Sequence, residues 1–141
     1  MTTNPKAISL LSRDAILAAP DIETEDVHVP EWGGTVRVRG LTAKQRDTFE
    51  AGLLVTKGQG RNATQTVSLA NARARLVALS VVDADGAPLF TTADLFALGE
   101  KSGAAIDRVF AVASRLSGIG DADMEELTGN SSGQSGDSSS D

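Results

Sequence analysis

Two short alternating stretches joined by a glycine-rich turn constrain this chain most strongly. In Val27-His28-Val29, and again in Val36-Arg37-Val38, every second side chain is apolar. A period of two is typical of a strand with one buried face. Pro30 lies between the stretches and has no N–H to donate to a ladder, while Gly33-Gly34 supplies the backbone freedom of a tight reversal. The pattern predicts a β-hairpin.

A two-stranded hairpin is only marginally stable in water, so it must pack on another element. The next segment supplies one, because Thr42 followed three residues later by Gln45 is the capping-box pattern that begins a helix. This helix is predicted from Ala43 to about Val55. Its apolar face is expected to hold Phe49, Leu53 and Leu54.

Capping residues and apolar spacing predict several further elements. They are a short helix begun by Ser12 or Asp14 and ending at Ala19, a loop at 57–64, a helix from Val67 to about Val82, a turn at Asp83-Ala84-Asp85-Gly86, a helix from Ala93 to about Leu98 and a helix from Ser102 to about Leu116.

Only 4% of the residues are aromatic, so the core must be built mainly from Leu, Val and Ala. This composition favours closely packed helices over a large sheet. The fold class expected is α+β and mainly helical, with the N-terminal hairpin packed on about four to five helices. Residues 1–128 are expected to form one domain, including an acidic helical turn or two at 121–127. Residues 129–141 contain only Gly, Asn, Ser, Gln and Asp, a composition that predicts a disordered tail.

The net charge of -6 is placed entirely at the C-terminus. Residues 1–120 hold 13 basic and 13 acidic side chains, and residues 121–141 add six acidic ones with no Lys or Arg. The basic residues are scattered rather than gathered on one face, so nucleic acid is not an expected partner. No stretch approaches the roughly 20 apolar residues that span a bilayer. With no cysteine and no signal-peptide pattern, the cytoplasm is the expected location.

None of the motifs predicts catalysis or cofactor binding. Asp83-Ala84-Asp85-Gly86 is similar to the start of an EF-hand calcium loop, but Pro88 and Asp94 stand where that loop needs Gly and Glu. An ordinary turn is the better interpretation. Gly58-Gln59-Gly60 lacks the Lys-Ser/Thr of a phosphate loop. His28, the single histidine, has no recognisable catalytic partner, and an outward-facing strand residue is expected there. The chain is therefore not expected to be an enzyme or to need a cofactor or metal.

Trp32, the single tryptophan, has two interpretations. It either covers the small core or anchors a partner at the surface, since Trp is enriched at binding hot spots. The structural role is favoured, because a core with few aromatic residues needs its large side chains.

The chain resembles the tail assembly chaperones of long-tailed bacteriophages over roughly residues 12–127. The resemblance is carried by the order and spacing of several stretches, which are Val29 to Thr42, Ala72-Arg73-Ala74-Arg75-Leu76-Val77-Ala78-Leu79-Ser80, Asp85-Gly86 with Leu89-Phe90, Leu98-Gly99-Glu100-Lys101-Ser102, and Asp107-Arg108-Val109-Phe110.

This resemblance implies a small, non-enzymatic, mostly helical protein that binds the tape measure protein, keeps it soluble and promotes tail tube assembly. It also implies absence from the finished particle and, in many relatives, a longer product made by programmed frameshifting. The tail tube protein, reached through that product, and self-association are further partner candidates. A small structural tail or connector protein of the virion is the alternative.

The residues proposed to bind the partner are Trp32, Phe49, Leu53 and Leu54. The hypothesis is that a mobile loop at 57–66 lets the helix that begins at Ala43 shift. That movement would expose Phe49, Leu53 and Leu54 to the client.

Overall fold

The fold is an α+β arrangement, as predicted. The computed structural model describes residues 8–120, of which about 48% are helical and 20% lie in strands. The helices are α1 (Arg13–Ala18), α2 (Ala43–Gly52), α3 (Ala72–Ser80), α4 (Leu95–Gly99) and α5 (Gly103–Ser117). The strands are β1 (Thr24–Val29), β2 (Gly34–Arg39), β3 (Leu54–Lys57), β4 (Thr64–Val67) and β5 (Val81–Val82). Short 3-10 turns lie at Pro30–Trp32, Gly60–Asn62 and Thr92–Asp94.

The hairpin of β1 and β2 is confirmed. The strands pair antiparallel with Val27 opposite Val36, and the chain reverses through the Pro30–Trp32 turn and Gly33, whose φ is +71°. Across the hairpin, Arg37 donates to Asp26 at 2.7 Å. That hydrogen bond holds the pKa of the Asp26 carboxyl below its usual value and raises the pKa of Arg37.

A third strand joins this hairpin where the sequence predicted the end of a helix. Helix α3 ends at Ser80, and Val81–Val82 forms β5 instead of a last helical turn. This strand pairs antiparallel with β2, placing Val81 opposite Val38. Val81 and Val38 are both buried, so packing and pairing with the sheet outweigh the helical pattern that precedes them.

The core lies between this three-stranded sheet and the helices. Helix α5 packs against β1 and β2 and also against α3. The largest side chains that are almost completely buried are Phe49, Leu53, Leu76, Val29, Val38, Val77, Val81 and Val109. The core is thus built mainly from Leu, Val and Ala, with Ile106, Ile119 and one phenylalanine, which matches the composition argument.

The capping box of α2 is confirmed, but the predicted end of that helix is wrong. The Gln45 backbone N–H donates to Thr42 Oγ1 at 3.1 Å, and the Thr42 N–H donates to Gln45 Oε1 at 3.0 Å. The helix ends at Gly52 rather than near Val55.

Residues 54–67, predicted to be the end of α2, a loop and the start of the next helix, form a second hairpin, the β3–β4 arm. Leu54 pairs with Val67 and Lys57 with Thr64. The arm is rich in β-branched residues, which favour strands because their χ1 freedom is restricted. Gly58 and Gly60 have positive φ and make the reversal. Helix α3 begins only at Ala72, because the arm occupies the residues before it.

The elements predicted between residues 83 and 117 are confirmed, except that the helix predicted from Ala93 begins as the 3-10 turn at Thr92–Asp94 and becomes α-helical only at Leu95. Asp83 makes an ordinary turn, in which its Oδ1 accepts from the N–H groups of Asp85 at 2.8 Å and Ala87 at 3.0 Å. Ser102 caps α5 by accepting from the Ala105 N–H, and α5 ends at Gly118, whose φ is +72°. The predicted helical turn at 121–127 and the predicted disordered tail at 129–141 lie outside the described residues.

Candidate partner-binding surface

The four residues predicted to bind a partner do not form one surface. Phe49 and Leu53 are each 1% exposed and belong to the core. Leu54 is 46% exposed at the start of β3, and Trp32 is half-buried against the core. Contact of a client with Phe49 or Leu53 would require α2 to leave its position, and it stays a prediction.

Trp32 lines a groove that sequence reasoning did not find, here called the Trp32 groove. Its volume is about 470 Å³. The 3-10 turn after β1 places Trp32 there, and Leu98 comes from α4. Phe90 follows Pro88, which pairs with Val82 of β5. The groove is lined by Glu31, Trp32, Phe90, Asp94, Ala97, Leu98 and Lys101. An apolar floor with a charged rim is typical of a site that binds an amphipathic segment.

The charged rim of the Trp32 groove is held in place by one ion pair and a helix cap. Glu31 accepts from Arg108 of α5, and this contact lowers the pKa of the Glu31 carboxyl. Asp94 accepts from the Thr91 N–H at 2.9 Å. The rim therefore carries two fixed carboxylates beside the ammonium of Lys101.

The indole N–H of Trp32 is buried and has no hydrogen-bond acceptor within residues 8–120. Buried donors in folded proteins almost always have a partner. A carbonyl group of a bound segment would be a suitable acceptor.

A second apolar groove of about 210 Å³ adjoins the first and shares Phe90 with it. Leu79 of α3 and Leu95 of α4 lie along it, and Gln45 and Thr48 of α2 also line it. Phe90 thus separates two neighbouring grooves.

The segment around α1 presents a different kind of surface, here called the N-terminal apolar surface. Helix α1 buries none of its residues. Five large aliphatic side chains are at least half exposed, namely Ile8 at 81%, Leu10 at 86%, Leu11 at 72%, Ile16 at 53% and Leu17 at 69%. The sequence analysis did not select these side chains as partner-binding residues. The density of large aliphatics just before Pro20 was the available signal.

The described residues hold neither a candidate metal cluster nor a membrane-spanning helix. Between residues 8 and 120, no group of three or more His, Asp or Glu side chains is placed to hold a metal ion. His28 is an exposed residue of β1. No helix in this part of the chain is both long enough and apolar enough to cross a membrane.

Comparison with known proteins gave one match. A family model described as phage tail assembly chaperone matches residues 12–130. No curated protein and no solved structure matches the chain.

Proposed function

Because this chain belongs to the phage tail assembly chaperone family, we propose that it binds the tape measure protein. In this proposal it keeps that protein soluble and promotes assembly of the tail tube around it, in the host cell cytoplasm. The family is one of chaperones rather than enzymes, so the proposed work is binding and release. The observation that carries the proposal is the N-terminal apolar surface, which the rest of the described chain leaves uncovered.

The size of this surface suits reversible binding. Burying a Leu or Ile side chain contributes about 1.5–3 kcal/mol, so five such side chains contribute about 7–15 kcal/mol at most. Association costs an estimated 4–15 kcal/mol in lost translational and rotational freedom. The two ranges overlap, so this surface alone supports weak binding, and a second contact at the Trp32 groove would strengthen it.

Co-expression with the tape measure protein of the same phage tests the proposal. We expect the wild-type chain to raise the soluble fraction of a tagged tape measure protein and to co-purify with it. The double variant Ile16→Asp/Leu17→Asp should lose most of this binding, because it places two carboxylates on exposed positions of the N-terminal apolar surface. Absence of co-purification with the wild-type chain would refute tape measure binding itself.

Leu54→Asp/Leu69→Asp is the matched control, since Leu54 and Leu69 are 46% and 45% exposed and lie at the base of the β3–β4 arm. Retained binding in this control places the contact at the N-terminal apolar surface. Loss of binding in the control alone would move the site to the arm, where Leu54 was predicted from sequence.

The contribution of the Trp32 groove is tested separately. Ala97→Arg fills the groove from an exposed position of α4, and Ala104→Arg makes the same change at an exposed position of α5 outside the groove. We expect only Ala97→Arg to weaken co-purification. Equal binding by the two variants would exclude the groove as a contact.

The proposal includes absence of the chain from finished particles. Mass spectrometry of purified virions should detect the tail tube protein but not this chain. A stoichiometric signal from this chain would favour the alternative of a structural tail or connector protein. A longer frameshifted product, its contact with the tail tube protein and self-association are further parts of the proposal. A slippery heptamer with an overlapping reading frame is the nucleotide signature expected of such a product.

A further inference from the structure

The groove that shares Phe90 with the Trp32 groove is positively charged and has no carboxylate in its lining. This groove, here called the Arg75 groove, has a volume of about 210 Å³. Leu79, Phe90 and Leu95 supply apolar walls, and Arg75 is the only charged residue among the described residues that line it. The nearest acidic residue of the same segment, Asp94, lines the Trp32 groove instead. The Arg75 groove is therefore a small apolar site with one uncompensated positive charge.

Arg75 differs from most arginines of this chain, because residues 8–120 do not supply it with an acceptor. Six of the nine arginines pair with a carboxylate. Arg75 has no such pair within residues 8–120, and its buried Nε has no hydrogen-bond partner there. Buried donors in folded proteins are almost always paired, and an unmade hydrogen bond costs more when the donor is charged. The guanidinium of Arg75 thus has unused capacity to bind an anion.

Gly52, the last residue of α2, explains how Arg75 is held at the wall of the groove. A Cβ added at Gly52 would lie 2.7 Å from Cδ and 2.8 Å from Nη1 of Arg75. The Arg75 side chain therefore lies directly on the backbone of α2, at the C-terminal end of that helix. The helix dipole favours a cation at this end, which accounts for a charge held here without a carboxylate. A guanidinium that is already positioned loses less freedom when a ligand binds.

The size and lining of the groove define the ligand that fits. Pockets that enclose a drug-sized molecule measure about 300–1,000 Å³, so 210 Å³ suits one or two side chains of a larger partner. A guanidinium binds a planar carboxylate through two parallel hydrogen bonds. A phosphate dianion carries more charge than one guanidinium balances and gains nothing from apolar walls. A glutamate suits both features, since its methylene groups lie on apolar surface while its carboxylate reaches the arginine.

We propose that the Arg75 groove binds a glutamate side chain of a partner protein. The carboxylate pairs with the guanidinium of Arg75, and an aliphatic neighbour of the glutamate packs on Leu79, Phe90 and Leu95. Charge complementarity carries this assignment, because the groove has a cation and no anion in its described lining. The groove takes such a side chain from any protein that presents it, so short peptides test it without the tape measure protein.

NMR titration of the full wild-type chain with acetyl-Glu-Ala-Leu-amide tests the proposal. In an extended tripeptide the first and third side chains lie on the same side. At millimolar peptide we expect shifts of the Arg75 Nε–H signal and of the Thr48, Leu79 and Thr91 amides. Acetyl-Gln-Ala-Leu-amide should bind about tenfold more weakly, because it forms no charge-assisted pair. Equal affinity of the two peptides would overturn the proposal, as would the absence of any shift. Equal shifts with inorganic phosphate would show an unspecific anion contact and would also overturn it.

Matched arginine variants test whether Arg75 itself provides the recognition. Arg75→Gln removes the guanidinium of the groove, and Arg61→Gln makes the same change on the β3–β4 arm, outside the groove. We expect the glutamate peptide to lose its shifts at Leu79 and Thr91 in the first variant and to keep them in the second. Unchanged amide shifts of the core verify the fold. Shifts that survive Arg75→Gln would refute pairing with this arginine. The comparison of the two peptides on the wild-type chain decides the matter if Arg75→Gln does not fold.

Discussion

Gly40 provides the sharpest test of how the hairpin is seated on α5. It follows β2 and is buried, and its N–H donates to the Glu23 carbonyl at 2.9 Å. A Cβ added at Gly40 would lie 2.6 Å from the backbone oxygen of Leu116, where ordinary contacts begin at 3.4 Å. Gly40→Ala therefore forces the strand and the C-terminal turn of α5 apart by roughly 0.8 Å, because a backbone carbonyl cannot rotate away as a side chain can.

Separating the strand from α5 costs more free energy of folding than a Gly to Ala change normally returns. Overpacking a tight contact costs about 1–3 kcal/mol, and the reduced freedom of the unfolded chain returns about 0.4–1 kcal/mol. The next residue, Leu41, donates its N–H to Ser117 Oγ at 2.9 Å, and this bond is strained by the same movement. The difference is a net loss of up to about 2.6 kcal/mol in the free energy of unfolding, and the strained Leu41 hydrogen bond places the expected loss in the upper half of that range.

Urea unfolding of the full chain, followed by tryptophan fluorescence, measures this loss. Gly34→Ala is the matched control, since a Cβ there meets nothing within 4 Å and the residue has no positive φ. We expect the control to match the wild type or to be more stable by up to about 1 kcal/mol. If the two variants unfolded at the same urea concentration, the close packing of β2 on α5 would be refuted.

Four further variants test the core, a helix cap and a charged contact. Phe49→Ala should lower the free energy of unfolding by about 3–5 kcal/mol, whereas Leu54→Ala should change it by less than about 0.5 kcal/mol. If urea unfolding gave similar losses of free energy for the two variants, the difference in burial between Phe49 and Leu54 would be contradicted. Thr42→Ala should cost about 1 kcal/mol by removing half of the capping box, and an unchanged urea midpoint would argue against that cap. Glu31→Gln should make the thermal stability depend less on pH in the acid range. The folded-state pKa of Glu31 is lowered by Arg108, so its contribution is present above the usual pKa and lost as pH falls through the lowered one. The melting temperatures of the wild type and of Glu31→Gln should therefore converge as the pH falls into the acid range. A constant difference in melting temperature at all pH values would exclude this contribution of the Glu31–Arg108 contact.

The elements that could be predicted from sequence are those specified by nearby residues. The period of two in the first hairpin, the capping pattern at Thr42 and the turn at Asp83 each depend on side chains a few positions apart. Residues 54–67 were misassigned because Leu53 and Leu54 continue the apolar pattern of α2. Their pairing with the strand that ends at Val67 depends on contacts that no local pattern reveals.

The candidate site was less predictable than the fold, because its parts come from distant segments. The Trp32 groove requires Phe90 and Leu98 to lie beside Trp32, which is 58 and 66 positions earlier in the chain. Phe49 was chosen as a binding residue because it lies on the apolar face of α2, yet that face packs into the core. Trp32 combines both of its sequence interpretations, since it packs against the core and also lines a groove.

The distribution of the aromatic residues argues that the second contact, beside the N-terminal apolar surface, is made by the grooves rather than by the buried face of α2. Of the five aromatic side chains, only Phe49 is buried. Trp32, Phe90 and Phe110 line grooves, and Phe96 is 76% exposed on α4. Aromatic side chains bury about 150–250 Å² each and dominate the energetics of interfaces, so covering these four rings would add substantially to any association. Exposing Phe49 would instead sacrifice core stability before any contact with a partner formed. A chaperone that must release its client gains more from surfaces that are already open, and we therefore expect variants of the groove residues to change binding without changing the fold.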